Sequence, residues 1–181
     1  NCIAFSSNGK YIITTSGDRT AKIWDVLSGN EIFSTKPADK ILTSAAFSPD
    51  MKYFVTAGYP NEAIVWDMAT KKVISTIPVN ADQGLGYGIN LSFSRDGAWL
   101  AVGEDNRTAT VYYTASWKKA FTFTPEQGWC GGCATWVSFS QDSRFLIMAS
   151  SKGPVKRYSL KDGKLINEYS PEENEVVSLS A

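Results

Sequence analysis

An all-β fold of four repeated four-stranded sheets is what the sequence predicts, and three observations predict it. A tetrapeptide of the form Phe-Ser-x-(Asn/Asp) occurs at Phe5–Asn8, Phe47–Asp50, Phe93–Asp96 and Phe139–Asp142, so that the phenylalanines fall 42, 46 and 46 residues apart. Each unit agrees at further offsets. Six residues on stands an aromatic (Tyr11, Tyr53, Trp99, Phe145), sixteen on a small or β-branched residue (Ala21, Ala63, Ala109, Val155), and nineteen on Trp24, Trp66, Tyr112 or Tyr158. Finally, no segment carries a 3.6-residue apolar period over ten or more residues, so helices are not expected.

Within a unit the elements follow one another as strand and turn. In the first, strands are expected at roughly 1–5, 11–17, 20–26 and 30–35, with the next unit beginning near 41. Tyr11-Ile-Ile-Thr-Thr and Phe54-Val-Thr-Ala are short, β-branched and aromatic runs. Asn8-Gly9, Ser28-Gly29, Asp96-Gly97 and Asp162-Gly163 are turn dipeptides, because Gly and Asn tolerate positive φ. Apolar neighbours such as Ile23-Trp24 and Val65-Trp66 place apolar side chains on both faces of a strand. Sheets stacked face to face produce that pattern, and a four-stranded sheet repeating at this period is a propeller blade.

The segment Ser16-Gly-Asp-Arg-Thr-Ala-Lys-Ile-Trp24-Asp25 resembles the closing signature of a WD (WD40) repeat, and Ile64-Val-Trp66-Asp67 repeats it. Phe47-Ser-Pro-Asp50 resembles the turn after that family's innermost strand. The resemblance covers nearly the whole chain and implies an all-β propeller that binds other proteins. The departures are equally specific. The family's Gly-His pair is missing from every unit, with Ala38 near its place in the second, so the network joining that His to the turn Asp and the Trp is not expected. Asp18 keeps the Asp position, whereas Pro60, Asn106 and Lys152 occupy it elsewhere. Units three and four replace Trp-Asp with Tyr112-Tyr113 and Tyr158-Ser159. These blades are expected to rest more on apolar stacking than on the polar network.

Composition narrows the chemistry. Apolar residues at 43% and aromatics at 13% suffice for a packed core. With 18 basic and 18 acidic side chains the net charge is zero, which argues against nucleic-acid binding and anionic membranes. No apolar run approaches the ~18 residues of a spanning helix. Histidine is absent, which removes imidazole bases, His-containing triads and His-ligated metals from this segment. The three cysteines (Cys2, Cys130, Cys133) are too few for a disulfide scaffold. Cys130-Gly-Gly-Cys133 has a zinc or dithiol spacing. It lacks a second pair of ligands, and a strand rather than a helix follows it, so no metal or other cofactor is expected. The glycines between Gln83 and Gly88 do not open a helix and give no phosphate cradle.

The blades are expected at approximately 1–37, 38–79, 80–125 and 126–171, with 172–181 supplying the innermost strand of a fifth. The whole is read as one partial propeller domain. Propellers span roughly four to eight blades, and the resemblance implies about seven, so a larger ring is expected. Two copies pairing into one ring, or four blades closing alone, are the alternatives. The acidic stretch Glu172-Glu173 and Glu175 reads as a solvated connection. Free thiols and the absence of a leader sequence point to an intracellular, cytoplasmic site.

Candidate functional residues follow from the loops. In propellers of this type the turn between the second and third strands and the connection to the next blade share one face. The longer units carry their extra residues in those connections, Asp82–Gly88 and Glu126–Cys133, each with Gln-Gly ahead of an aromatic. Tyr87 and Trp129 are therefore the expected anchors for a protein partner, and Leu85 adds apolar area. Arg19, Tyr59 and Arg107 are rim contacts, with Asn61 and Lys152 on the same turns. The bland alternative folds both rings inward to plug blade junctions. Arg157 breaks the pattern of Ile23, Val65 and Val111 and needs either a partner or a route to solvent. The reading is a non-enzymatic docking scaffold. An architectural arc, or a ligand-binding or enzymatic propeller with its site at the central channel, is the alternative.

Overall fold

The computed structural model describes residues 2–36, 38, 41–58, 62–79, 89–104, 108–124, 135–150 and 153–169. The described residues are strands and turns without helices. The chain divides into two compact units, Asn1–Val79 and Asn80–Ala181, each containing two sheets.

In the first unit, sheet 1 joins β1 (Ile3–Phe5), β2 (Tyr11–Thr15), β3 (Ala21–Asp25) and β4 (Glu31–Ser34). Sheet 2 joins β5 (Leu42–Phe47), β6 (Tyr53–Gly58), β7 (Glu62–Asp67) and β8 (Val73–Pro78). In the second unit, sheet 3 joins β9 (Asn90–Phe93), β10 (Trp99–Gly103), β11 (Ala109–Tyr113) and β12 (Lys119–Phe123). Sheet 4 joins β13 (Thr135–Phe139), β14 (Phe145–Ser150), β15 (Val155–Ser159) and β16 (Leu165–Tyr169). Every pairing is antiparallel and consecutive. This is the four-stranded blade expected from the repeat. The expected fifth strand lies outside the described residues.

The tetrapeptide has a local physical role that all four sheets share. Its serine hydroxyl accepts the amide of the following aromatic, from Tyr11, Tyr53, Trp99 and Phe145 at 2.9, 2.9, 2.9 and 3.1 Å. The same hydroxyl donates to Asn8, Asp50, Asp96 or Asp142, and that side chain accepts the amide two residues on. The turn's polar groups are thus satisfied within five or six residues. The next residue takes positive φ in every sheet: Gly9 (68°), Met51 (59°), Gly97 (73°) and Ser143 (56°). A second positive-φ position recurs before each fourth strand, at Gly29 (71°), Lys71 (60°), Trp117 (55°) and Gly163 (71°). The third and fourth strands also slip register at one matching place, between Ile23/Trp24, Val65/Trp66, Val111/Tyr112 and Arg157/Tyr158.

Stacking of neighbouring sheets builds each core. In the first unit, Ile13 and Ile23 of sheet 1 meet Ala45, Phe47, Phe54 and Met68 of sheet 2. Trp66 stacks on Phe54 (centroids 5.7 Å, planes 2° apart), and Phe33 of sheet 1 stands edge-on to both. In the second unit Ala101, Val111 and Phe123 pack on Val137, Phe139, Leu146 and Tyr158. Phe123 and Tyr158 lie 4.3 Å apart. Polar ties accompany the apolar contact: Ser7 Oγ donates to the Pro49 carbonyl at 2.7 Å, and the Val137 amide donates to Asn90 Oδ1 at 3.0 Å. Backbones approach closely at Gly58 and Gly103, where a Cβ would come within 2.3 Å of the Ile41 and Thr135 carbonyl oxygens.

Candidate interaction face

The turn between β2 and β3 is the best-described part of the proposed interaction face. The Ser16 carbonyl accepts the Arg19 amide (3.0 Å), and Asp18 Oδ1 accepts both the amide and the hydroxyl of Thr20 (2.9 and 2.7 Å). Those bonds, the Thr20 hydroxyl foremost, hold the Asp18 carboxyl below its usual range. Arg19 then adopts φ of 70°, a conformation that costs an L-residue about 1 kcal/mol, and its side chain is exposed. Its carbonyl accepts the Ala38 amide at 2.8 Å, which ties the turn to the connection leading into β5. Two neighbouring loops are thereby fixed to each other through backbone.

The other expected contact residues, Tyr59, Asn61, Leu85, Tyr87, Arg107, Trp129 and Lys152, lie outside the described residues, as do Cys130 and Cys133. Cys2 is a free cysteine whose Sγ approaches the Ala45 carbonyl at 3.6 Å. Among the described residues, no group of three or more His, Cys, Asp or Glu side chains could hold a metal ion. Among them, too, no helix is long and apolar enough to cross a membrane.

The signature residues are all described, and their roles are structural. Trp24 Nε1–H donates to Thr14 Oγ1 and Trp66 Nε1–H to Thr56 Oγ1, each at 3.0 Å. Each Trp thus finds a hydroxyl acceptor within its own sheet, although the family's histidine network was not expected here. Asp25 caps the turn into β4 by accepting the Ser28 amide and hydroxyl (2.8 and 2.7 Å), and Asp67 does the same for Thr70 (2.6 and 2.8 Å). The Ser28 hydroxyl chiefly depresses the Asp25 carboxyl, and the Thr70 amide chiefly depresses that of Asp67.

In sheets 3 and 4 the Trp–Thr pair changes as a pair. Tyr112 and Tyr158 replace Trp, and Val102 and Met148 stand where Thr14 and Thr56 stand. Tyr112 is buried, and burial, reinforced by the nearby Glu104 charge and opposed by a hydrogen bond with Thr110, pushes its phenol up to about 12. Glu104, at 1% exposure, accepts the Thr110 hydroxyl at 3.1 Å. Sequence reasoning missed Glu104, because its counterparts Ser16, Gly58 and Ser150 carry no charge and the repeat gave no cue.

Arg157 resolves its own expectation. Its guanidinium lies 3.7 Å from the centroid of the Phe145 ring, and among the described residues that aromatic face, rather than an ion pair, receives it.

Comparison with protein families places these observations together. The model described as "WD domain, G-beta repeat" matches residues 1–25 and 30–67, which contain all four strands of sheet 1 and the first three of sheet 2, with both Trp-Asp signatures. Proteins with such repeats generally mediate protein–protein interaction and are generally non-enzymatic. A comparison with curated proteins gives no match.

Proposed function

We propose that this chain, a member of the WD-repeat family, is a non-enzymatic scaffold that docks other proteins through its loop face. The observation that carries the reading is the pair of matched repeats, because binding between proteins is what such repeats generally do. The backbone tie from Ala38 to Arg19 supports it, since a pre-ordered loop loses little entropy on binding. Tyr87 and Trp129 are the proposed anchors, with Leu85 adding apolar area and Arg19, Tyr59 and Arg107 as rim contacts.

The test is the double variant Tyr87→Ala/Trp129→Ala in the full chain. Partner capture is compared with wild type by quantitative mass spectrometry, with circular dichroism as the fold check. Loss of the captured proteins with an unchanged fold is the expected result. Retention of the same proteins would refute the anchor assignment.

A second reading, contact through sheet faces in a larger assembly, is favoured by one observation. Ile3 and Phe5 of β1 are 66% and 64% exposed on an apolar sheet face. Cross-linking mass spectrometry separates the two: loop-centred cross-links support docking, and cross-links centred on β1 and β4 support the assembly role.

A further inference from the structure

Asn8 is the one amide at the fourth place of the repeated tetrapeptide. Asp50, Asp96 and Asp142 fill that place with a carboxylate in the other sheets, and Asn8 is followed by Gly9. Two residues further on stands a cation in three of the four turns, at Lys10, Lys52 and Arg144. Lys52 pairs with Asp50 at 3.2 Å, and Arg144 with Asp142 at 2.6 Å. Lys10 has the same offset from Asn8, is exposed, and among the described residues makes no ion pair. The first turn thus has the cation of such a pair without its carboxylate.

An Asn-Gly step holds its own route to that carboxylate. The main-chain nitrogen of glycine, unhindered by a side chain, can attack the carbonyl carbon of the Asn side chain. The new N–Cγ bond closes a five-membered imide, the Cγ–Nδ2 bond breaks, and the amide leaves as ammonia with the proton that the glycine nitrogen gives up. Water then opens the imide at one of its two carbonyls, giving an aspartyl or an isoaspartyl residue. Gly9 supplies the attacking nitrogen, and Asn8 is exposed to water. The turn opposes the attack. The Gly9 amide donates to the Ser6 carbonyl at 2.9 Å, and Asn8 Oδ1 accepts the Ser6 hydroxyl and the Lys10 amide at 2.8 and 3.0 Å. Nucleophile and electrophile are each tied to Ser6, so the reaction waits for the turn to open.

The two products fit the turn differently. The aspartyl form keeps the main chain and offers both donors a carboxylate, as Asp50, Asp96 and Asp142 already do. The isoaspartyl form carries the main chain through the side-chain carbon and adds one backbone atom ahead of Gly9. The φ of 68° at Gly9 and its bond to Ser6 depend on the ordinary spacing. We propose that Asn8 is a self-modification site: it deamidates at a rate set by opening of the Ser6 turn, and its aspartyl product completes that turn with Lys10 as counter-ion. The modification needs no docked partner, so the Tyr87 and Trp129 assignment does not decide it.

The test ages the full chain at mildly alkaline pH and resolves the Asn8 peptide into its unmodified, aspartyl and isoaspartyl forms by chromatography and mass spectrometry. In concentrated urea Asn8 is expected to react at least about tenfold faster than in the native chain, because the open turn is the reactive one. Ser6→Ala is expected to speed the native reaction several-fold and to leave the rate in urea unchanged. Ser7→Ala, which cuts the bond to Pro49 without touching Asn8, is the control for general loosening and is expected to keep the wild-type rate. Gly9→Ala is expected to slow the reaction in urea, where the fold plays no part. Asn8→Asp is expected to have a Tm no lower than wild type, and the purified isoaspartyl form a lower one. The proposal is overturned by a native chain that yields no product, by equal native and urea rates, or by Ser6→Ala and Ser7→Ala acting alike. A Gly9→Ala rate in urea equal to that of wild type overturns attack by the Gly9 nitrogen. A Tm for Asn8→Asp below that of the isoaspartyl form overturns the completed turn.

Discussion

The indole N–H of Trp66 donates to the hydroxyl of Thr56 at 3.0 Å, and Trp24 and Thr14 repeat the bond in the first sheet at the same distance. Thr56 is 1% exposed, so water does not replace it readily as an acceptor.

Thr56→Val is therefore expected to destabilise the chain by about 1–2 kcal/mol, the cost of leaving the half-buried indole donor unpaired. Adding Trp66→Tyr recreates the tyrosine–aliphatic pairing of sheets 3 and 4, so the double variant is expected to lose less than the two single losses added together. Chemical denaturation of the four proteins of the cycle measures the coupling. Strict additivity would mean that the two positions are independent.

Glycine positions separate backbone strain from steric conflict. At Gly9 no atom lies within 4 Å of a built Cβ, and φ is 68°. Gly9→Ala is expected to cost only the left-handed penalty, about 1 kcal/mol. At Gly58 the added carbon would meet the Ile41 carbonyl oxygen at 2.3 Å, an atom of the backbone. Gly58→Ala is expected to cost at least about 3 kcal/mol, because the paired strands must part to admit it. Similar midpoints for the two variants in urea would contradict this ordering.

Acid is expected to weaken the fold through its turn carboxylates. Asp18, Asp25, Asp67 and Asp142 are all held below the ordinary 3.8, and Asp142 is brought to about 2 by the Ser140 hydroxyl and then by Arg144. Depressed folded-state values mean that the unfolded chain takes up protons first. The contribution is present above pH 3.8 and is lost as the pH falls toward 2. Asp142→Asn, which mimics Asn8 at the same repeat position, should flatten the acid limb of the Tm-against-pH curve. An unchanged limb would exclude Asp142 from it.

Alkali acts through Tyr112 with the opposite sign. Its folded-state value of about 12 lies above the ordinary 10, so folding holds the phenolic proton more tightly than the unfolded chain does. The contribution is full below pH 10 and disappears as the pH rises through 12. Ultraviolet titration at the tyrosinate band should reveal one late-ionising phenol in wild type that is missing from Tyr112→Phe. Its persistence in the variant would assign the late step to another tyrosine.

The blade plan was legible because the Phe-Ser-x-(Asn/Asp) turn closes on its own side chains, leaving a signal confined to a few consecutive residues. Glycines announced four positive-φ positions in the same way. Met51, Lys71, Trp117 and Ser143 share the conformation but carry no intrinsic preference for it, so only the repeat offset identifies them. Glu104 was illegible for a related reason: its burial comes from sheet packing, and its charge has no counterpart in the other units. Trp24 and Trp66 were anticipated as apolar signature residues of their strands, and Trp66 stacks on Phe54. Their hydroxyl partners were not, since Thr14 and Thr56 read in the sequence as ordinary strand residues.

Each sheet is made of four consecutive strands, so all the pairing partners of the first are available once Ser34 has been synthesised. A growing chain can zip that sheet hairpin by hairpin while the rest is still being translated, avoiding the long loop closures that slow most all-β proteins. The finished sheet then offers Ile13, Ile23 and Phe33 as a ready-made template against which the next one condenses. Such vectorial assembly keeps that apolar face exposed only for the time needed to translate the second sheet.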